Sequence, residues 1–151
     1  KYTGTALYEV TQIKEACKPG FQVYGGCDEL GSSNISLGVD GIIGSFYNII
    51  PDLYLKIWDA VKNSDIPTAT ALQAKAVHVI FAGIGSGSMM ACMKAWLRAA
   101  GVSAGWARRP FSNFSEAEEH ALVQQLISID QADAIGLEIA KRMRALNPAI
   151  Q

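Results

Sequence analysis

Three short stretches of this chain carry residues able to do chemistry: Lys1-Tyr2-Thr3, Gly26-Cys27-Asp28-Glu29 and Gly44-Ser45. A lysine in a partly desolvated site can lose its proton and attack a carbonyl. Neighbouring carboxylates and hydroxyls hold a polyhydroxylated substrate through charge-assisted hydrogen bonds. Glycine lets the main chain approach a ligand closely. The same residues also suit a solvated terminus and an acidic helix start, so residue types and spacing leave both readings open.

A second candidate is "VHVIFAGIGSG", residues 77–87, in which an apolar run precedes a glycine-rich turn. As a strand and phosphate turn it would suit a dinucleotide fold. That fold places an acid about 20 residues further on to hold the ribose, and no Asp or Glu occurs between Asp65 and Glu116. Arg108 or Arg109 would serve an NADP variant. The competing reading is a flexible connection between two helices. Lys75, Lys94, Arg98, Arg108 and Arg109, in the same acid-free region, read as a solvated basic face.

The elements that must position these groups follow from periodicity. Leu7, Val10 and Ile13 lie at helical spacing within residues 5–17, and Pro19 and Gly20 stop that helix. "FQVYGG" reads as a buried strand. Residues 29–38 form a weak helix, and "VDGIIGSFYN", 39–48, is a second short apolar run. Ile50, Leu53, Ile57 and Val61 share one helical face, with Pro51 near its start, where proline is tolerated. The first 63 residues thus alternate helix and strand, the pattern of a parallel α/β sheet or barrel. If so, the three chemical stretches fall at strand ends, where a parallel barrel carries its active site.

After Asp65, a helix N-cap, the pattern is helical over 66–82 and 88–100. A loop rich in Gly, Arg and Pro runs to Phe114. Ser115 and Glu118 form a capping box for another helix, which residues 130–146 continue or restart. The expected domains are 1–63 and 64–151, the second packing on the first. With 151 residues, half of them hydrophobic, and a net charge of −1, the composition suits a globular domain without a field for nucleic acid. No apolar run reaches the roughly 18 residues of a membrane span. Cys17, Cys27 and Cys92 are widely spaced and read as buried free thiols in a reducing compartment.

The order of these pieces resembles the C-terminal half of the N-acetylneuraminate lyases, within the pyruvate-dependent aldolase family that includes dihydrodipicolinate synthase. The resemblance runs over essentially the whole chain. "KYTG" is similar to the end of the sixth barrel strand, "VYGGCDE" to the seventh and "GIIGSFYN" to the eighth. "SDIPTATALQ" and Arg108–Phe111 are similar to the helical extension. "GCDE" followed by the serine of "GSFYN" points to the sialic acid branch.

The resemblance implies the C-terminal part of a (β/α)8 barrel, from the end of strand 6 through helix 8, plus a three-helix extension. It implies Lys1 as the Schiff-base lysine. Thr3, Gly26, Asp28, Glu29 and Ser45 would contact the sugar; Cys27 has no implied role. The implied reaction is reversible cleavage of N-acetylneuraminate to N-acetylmannosamine and pyruvate, with no metal or diffusible cofactor, in a cytoplasmic homotetramer away from membrane and nucleic acid. The catalytic tyrosine and the carboxylate-binding Ser/Thr loop are expected in a preceding half of the barrel. That half would pack on Val23, Ile42 and the start of residues 5–17. The alternatives are another pyruvate-dependent aldolase, acting on dihydrodipicolinate precursors or 2-keto-3-deoxy sugar acids, a nicotinamide-dependent oxidoreductase, and a non-catalytic sugar-binding or assembly module.

Overall fold

Parallel pairing organises the first part of the chain in the computed structural model, which describes residues 1–148. β1 (Tyr24–Gly25) pairs in parallel with β2 (Gly41–Ile42), and an isolated parallel bridge joins Tyr2 to Gly25 on the other side. Tyr2 N–H donates to Tyr24 O at 2.8 Å and Gly26 N–H to Tyr2 O at 2.7 Å; Ile43 N–H donates to Gly25 O at 2.8 Å. β1 is therefore the middle strand, flanked by the Lys1–Thr3 end and by β2.

Parallel strands need a crossover, usually helical. α1 (Tyr8–Ala16) connects the Tyr2 bridge to β1, and α2 (Gly31–Ser36) connects β1 to β2. Val10, Val23 and Val39 bury one another, with Tyr2, Ile13, Leu37 and Ile42 packed around them. Val23 is thus already covered within its own cluster, so it is not a face awaiting a preceding segment, as the sequence suggested. α3 (Pro51–Lys62) buries Leu53, Tyr54, Ile57 and Ala60. Val61 is only half-buried.

The strands are shorter than "FQVYGG" suggested. Phe21 is exposed, and Val23 N–H is taken by the Asp40 side chain at 2.8 Å instead of a strand carbonyl. The weak helix expected over 29–38 is a 3₁₀ turn, Asp28–Leu30, followed by α2.

The chain divides into two compact units, Lys1–Val77 and His78–Gln151, with the division inside α4 (Ile66–Gly85). Asp65 caps α4, its Oδ1 accepting from Thr68 N–H at 3.2 Å. The second unit contains α5 (Met89–Ala99), α6 (Glu116–Ala132) and α7 (Glu138–Leu146). The Ser115–Glu118 capping box is formed. Residues 130–146 restart a helix instead of continuing one, so four helices, α4 to α7, follow α3 among the described residues, against the three expected. Ala134 and Gly136 adopt positive φ and end α6. Buried Asp130 then bridges the break, its Oδ1 accepting from Leu137 N–H at 2.7 Å and its Oδ2 facing Arg144 at 3.3 Å. Residues 149–151 of the expected 64–151 extension lie outside the described residues.

Lys94 and Arg98 are not a solvated face. Lys94 donates to Ala104 O, and Arg98 pairs with Glu119, reaches Gly105 O and lies 3.9 Å from the Trp106 ring centroid. They brace the 101–106 loop, while Arg108 and Arg109 are exposed. All three cysteines are free, but only Cys92 is fully buried; burial pushes its thiol up to about 12. No single helix among the described residues is long and apolar enough to cross a membrane; only α4 and α5 taken together meet both conditions, across a sharp break.

Candidate functional site

The C-terminal ends of the paired strands bring the three chemical stretches together in the first unit. Lys1 and Thr3 are exposed and lean over buried Gly26. A Cβ on Gly26 would lie 2.5 Å from Thr3 Oγ1 and overlap the Lys1 side chain, so any larger residue there must displace those two side chains. Two residues on, Asp28 turns inward. It is 6% exposed, and its Oδ2 accepts from Phe46 N–H at 2.8 Å, just past Ser45. A Cβ on Gly44 would overlap the Asp28 carboxylate. Gly44 is therefore required by the buried Asp28 side chain, while Gly26 leaves room for Lys1 and Thr3.

Burial raises the Asp28 pKa above its ordinary value of 3.8, opposed chiefly by the Phe46 N–H hydrogen bond. The Glu29 charge also raises it, and the Lys1 charge lowers it, so Lys1, Asp28 and Glu29 share one electrostatic neighbourhood. Asp28 Oδ1 is buried without a hydrogen bond of good geometry, as is the Tyr47 hydroxyl. Burial first, and the Asp28 charge second, push the Tyr47 pKa up. A buried carboxylate oxygen without a well-formed hydrogen bond is costly, and here the Tyr47 hydroxyl is the group set against it.

Glu29 and Ser45 are half-buried at the mouth of this cluster. Cys27 Sγ donates to Glu29 Oε2 at 3.2 Å, and burial, with the Glu29 carboxylate, raises the Cys27 pKa. The six expected residues thus form two adjoining groups: Lys1, Thr3 and Gly26, and then Asp28, Glu29 and Ser45.

Sequence reasoning missed the groups behind Asp28. Tyr54 OH donates to Asp28 O at 2.6 Å, and Gln73 Nε2 donates to the same oxygen at 3.1 Å. Tyr54 also stacks edge-on against Tyr47, with ring centroids 4.3 Å apart. The contact from Gln73 spans 45 positions in the chain, and no local pattern marks it. A pocket of about 200 Å³ lined by Ile42, Tyr47, Pro51, Tyr54, Leu55 and Trp58 is almost wholly apolar and offers no reacting group. Among the described residues no three His, Cys, Asp or Glu side chains converge as metal ligands.

The glycine-rich stretch is not a dinucleotide turn. "VHVIF" is helical throughout, inside α4, so the strand that must precede such a turn is absent.

Residues 1–129 match the model of the dihydrodipicolinate synthetase family. An N-acetylneuraminate lyase of Rhizobium meliloti is 35% identical over 122 residues, 81% of this chain and 40% of that protein. N-acetylneuraminate lyase 2 of Escherichia coli is 38% identical over 117 residues, 77% of this chain and 38% of that protein. Among solved structures, the N-acetylneuraminate lyase from Fusobacterium nucleatum complexed with pyruvate is 28% identical, with a TM-score of 0.72 over 86% of this chain and 42% of that one. The chain therefore spans about two fifths of the length of the curated relatives it matches.

Proposed function

The chain belongs to the dihydrodipicolinate synthetase family, and on that premise we propose that it is the C-terminal part of a Schiff-base aldolase that cleaves N-acetylneuraminate. In this reading residues 1–63 run from the end of barrel strand 6 through helix 8, and 64–151 are the helical extension. A preceding segment supplies the other strands, the catalytic tyrosine and the carboxylate-binding loop, and the assembled protein is a cytoplasmic homotetramer.

Lys1 Nζ attacks the C2 ketone of the substrate, and loss of water gives an iminium. As the C4 hydroxyl proton leaves to a base, the C3–C4 bond breaks. Its electrons flow into the iminium, giving an enamine and the aldehyde N-acetylmannosamine. Protonation at C3 and hydrolysis then release pyruvate and free Lys1. No metal or diffusible cofactor enters this cycle. Asp28 and Glu29 accept from sugar hydroxyls, Thr3 and Ser45 add hydroxyl contacts, and Gly26 brings its main chain to the ligand.

The observation that supports this reading most is the meeting of Lys1 and Thr3 over Gly26, next to the buried Asp28 carboxylate, whose pKa the Lys1 charge lowers. A carbonyl-attacking amine beside an acceptor for hydroxyls suits a polyhydroxylated 2-oxo acid. The test is a screen of the full-length protein carrying this chain, with pyruvate and a panel of aldehydes. Condensation with N-acetylmannosamine in preference to other acceptors is expected. Preference for aspartate semialdehyde or for unacetylated sugar aldehydes would assign the site to a sister aldolase.

A further inference from the structure

Gln73 is a polar residue on α4, 8% exposed, with both ends of its carboxamide engaged. Its Nε2 donates to Asp28 O at 3.1 Å, and its Oε1 accepts from Ser32 N–H at 2.9 Å. The same side chain thus grips both ends of the short turn that carries Asp28 and Glu29. Tyr54, 3% exposed, donates to Asp28 O from α3 at 2.6 Å. The Asp28 carbonyl accepts two hydrogen bonds from two different helices, while its carboxylate accepts from Phe46 N–H on the next strand end. Gly31 is needed for this arrangement, since a Cβ there would lie 2.7 Å from the Tyr54 ring and 3.0 Å from Gln73 Oε1.

Gln73 and Tyr54 are buried, each of their polar atoms is already bonded within the protein, and they also bond each other. A buried amide so placed fixes geometry instead of binding ligand, as outer-shell groups do around reacting side chains. We propose that Gln73 and Tyr54 are positioning residues for sugar recognition: they fix the Asp28–Ser32 turn so that the Asp28 and Glu29 carboxylates meet the distal hydroxyls. The proposal rests on the aldolase reading above. It gives the α4 helix a part in substrate selection without any group of its own in the site. Lys1 lies on a different strand end and is coupled to this turn only through the Asp28 charge, so Schiff-base formation is expected to respond weakly to either residue.

The experiment uses the full-length protein carrying this chain, with Gln73→Met and Tyr54→Phe made separately and each also combined with Glu29→Ala. Tyr54→Phe keeps the ring and its contact with Tyr47, so it serves if Gln73→Met fails to fold. Each single variant is expected to lower kcat/KM for N-acetylneuraminate about tenfold, mainly through KM. Borohydride trapping of pyruvate should stay within about twofold of wild type. In the Glu29→Ala background each loss should shrink, because one of the two carboxylates the turn presents is gone. Parallel loss of trapping and cleavage, unchanged kinetics, or full additivity with Glu29→Ala overturns the proposal while leaving the aldolase reading intact. A wild-type protein that neither traps pyruvate nor cleaves the sugar overturns the aldolase reading on which it rests.

Discussion

Asp28 meets two opposed demands. Its burial disfavours the charged form, yet only the ionised carboxylate is a pure acceptor for substrate hydroxyls. The folded pKa lies above the ordinary 3.8, so the native state binds this proton more tightly than the unfolded chain does. Stability from this group therefore falls as pH rises from 3.8 through the folded value, and is level above it. Asp28→Asn removes that dependence and keeps an oxygen for Phe46 N–H. The variant is expected to unfold at higher denaturant than wild type at pH 7, with the difference shrinking toward acid, and to have lost sugar turnover. Glu29→Ala should cost about 1.5–3 kcal/mol of transition-state binding, or roughly 10- to 100-fold in kcat/KM, with pyruvate trapping intact. The acid pair was readable because two adjacent carboxylates after an apolar run stand out locally. Gln73 was not, because its partner turn lies 45 positions away and a lone glutamine in a helix looks like surface.

The helices were legible where their ends carry chemistry. Ser115 and Glu118 mark the start of α6, Asp65 that of α4, and Pro51 the first turn of α3. The strands were overestimated, because pairing depends on neighbours a sequence does not show, and Val23 N–H bonds to a side chain. The glycine-rich stretch left two readings open, because "VHVIF" suits strand or helix, and the helix expected over 66–82 is the one that forms. Ser115→Ala is expected to destabilise the protein by about 0.5–2 kcal/mol in urea titrations. Glu118 is held below its ordinary 4.5 by the Ser115 N–H and, second, by the Ser115 hydroxyl, of which Ser115→Ala removes only the latter. The stability it contributes is present above pH 4.5 and is lost as pH falls through the folded value, so the Ser115→Ala deficit should narrow on acidification.

Among the described residues the chain holds one strand pair, one bridge and an open ladder on both sides. Tyr8, Phe21, Ile43 and Leu55 are more than half exposed in the first unit, and the apolar pocket beside Tyr47 is uncovered. Such edges and faces are covered in a closed barrel of about eight strands. Residues 1–151 expressed alone are therefore expected to aggregate or to lack a cooperative near-UV transition, with no sugar turnover. Co-expression with the proposed N-terminal half of the barrel should restore both; a monodisperse, cooperatively folding and active fragment would rule out the half-barrel reading. The central claim is the covalent role of Lys1. The full-length protein, treated with pyruvate and borohydride and digested, should show by mass spectrometry a single reduced pyruvate adduct on Lys1 Nζ. An adduct on Lys14, Lys56 or another lysine, or none at all, would contradict it.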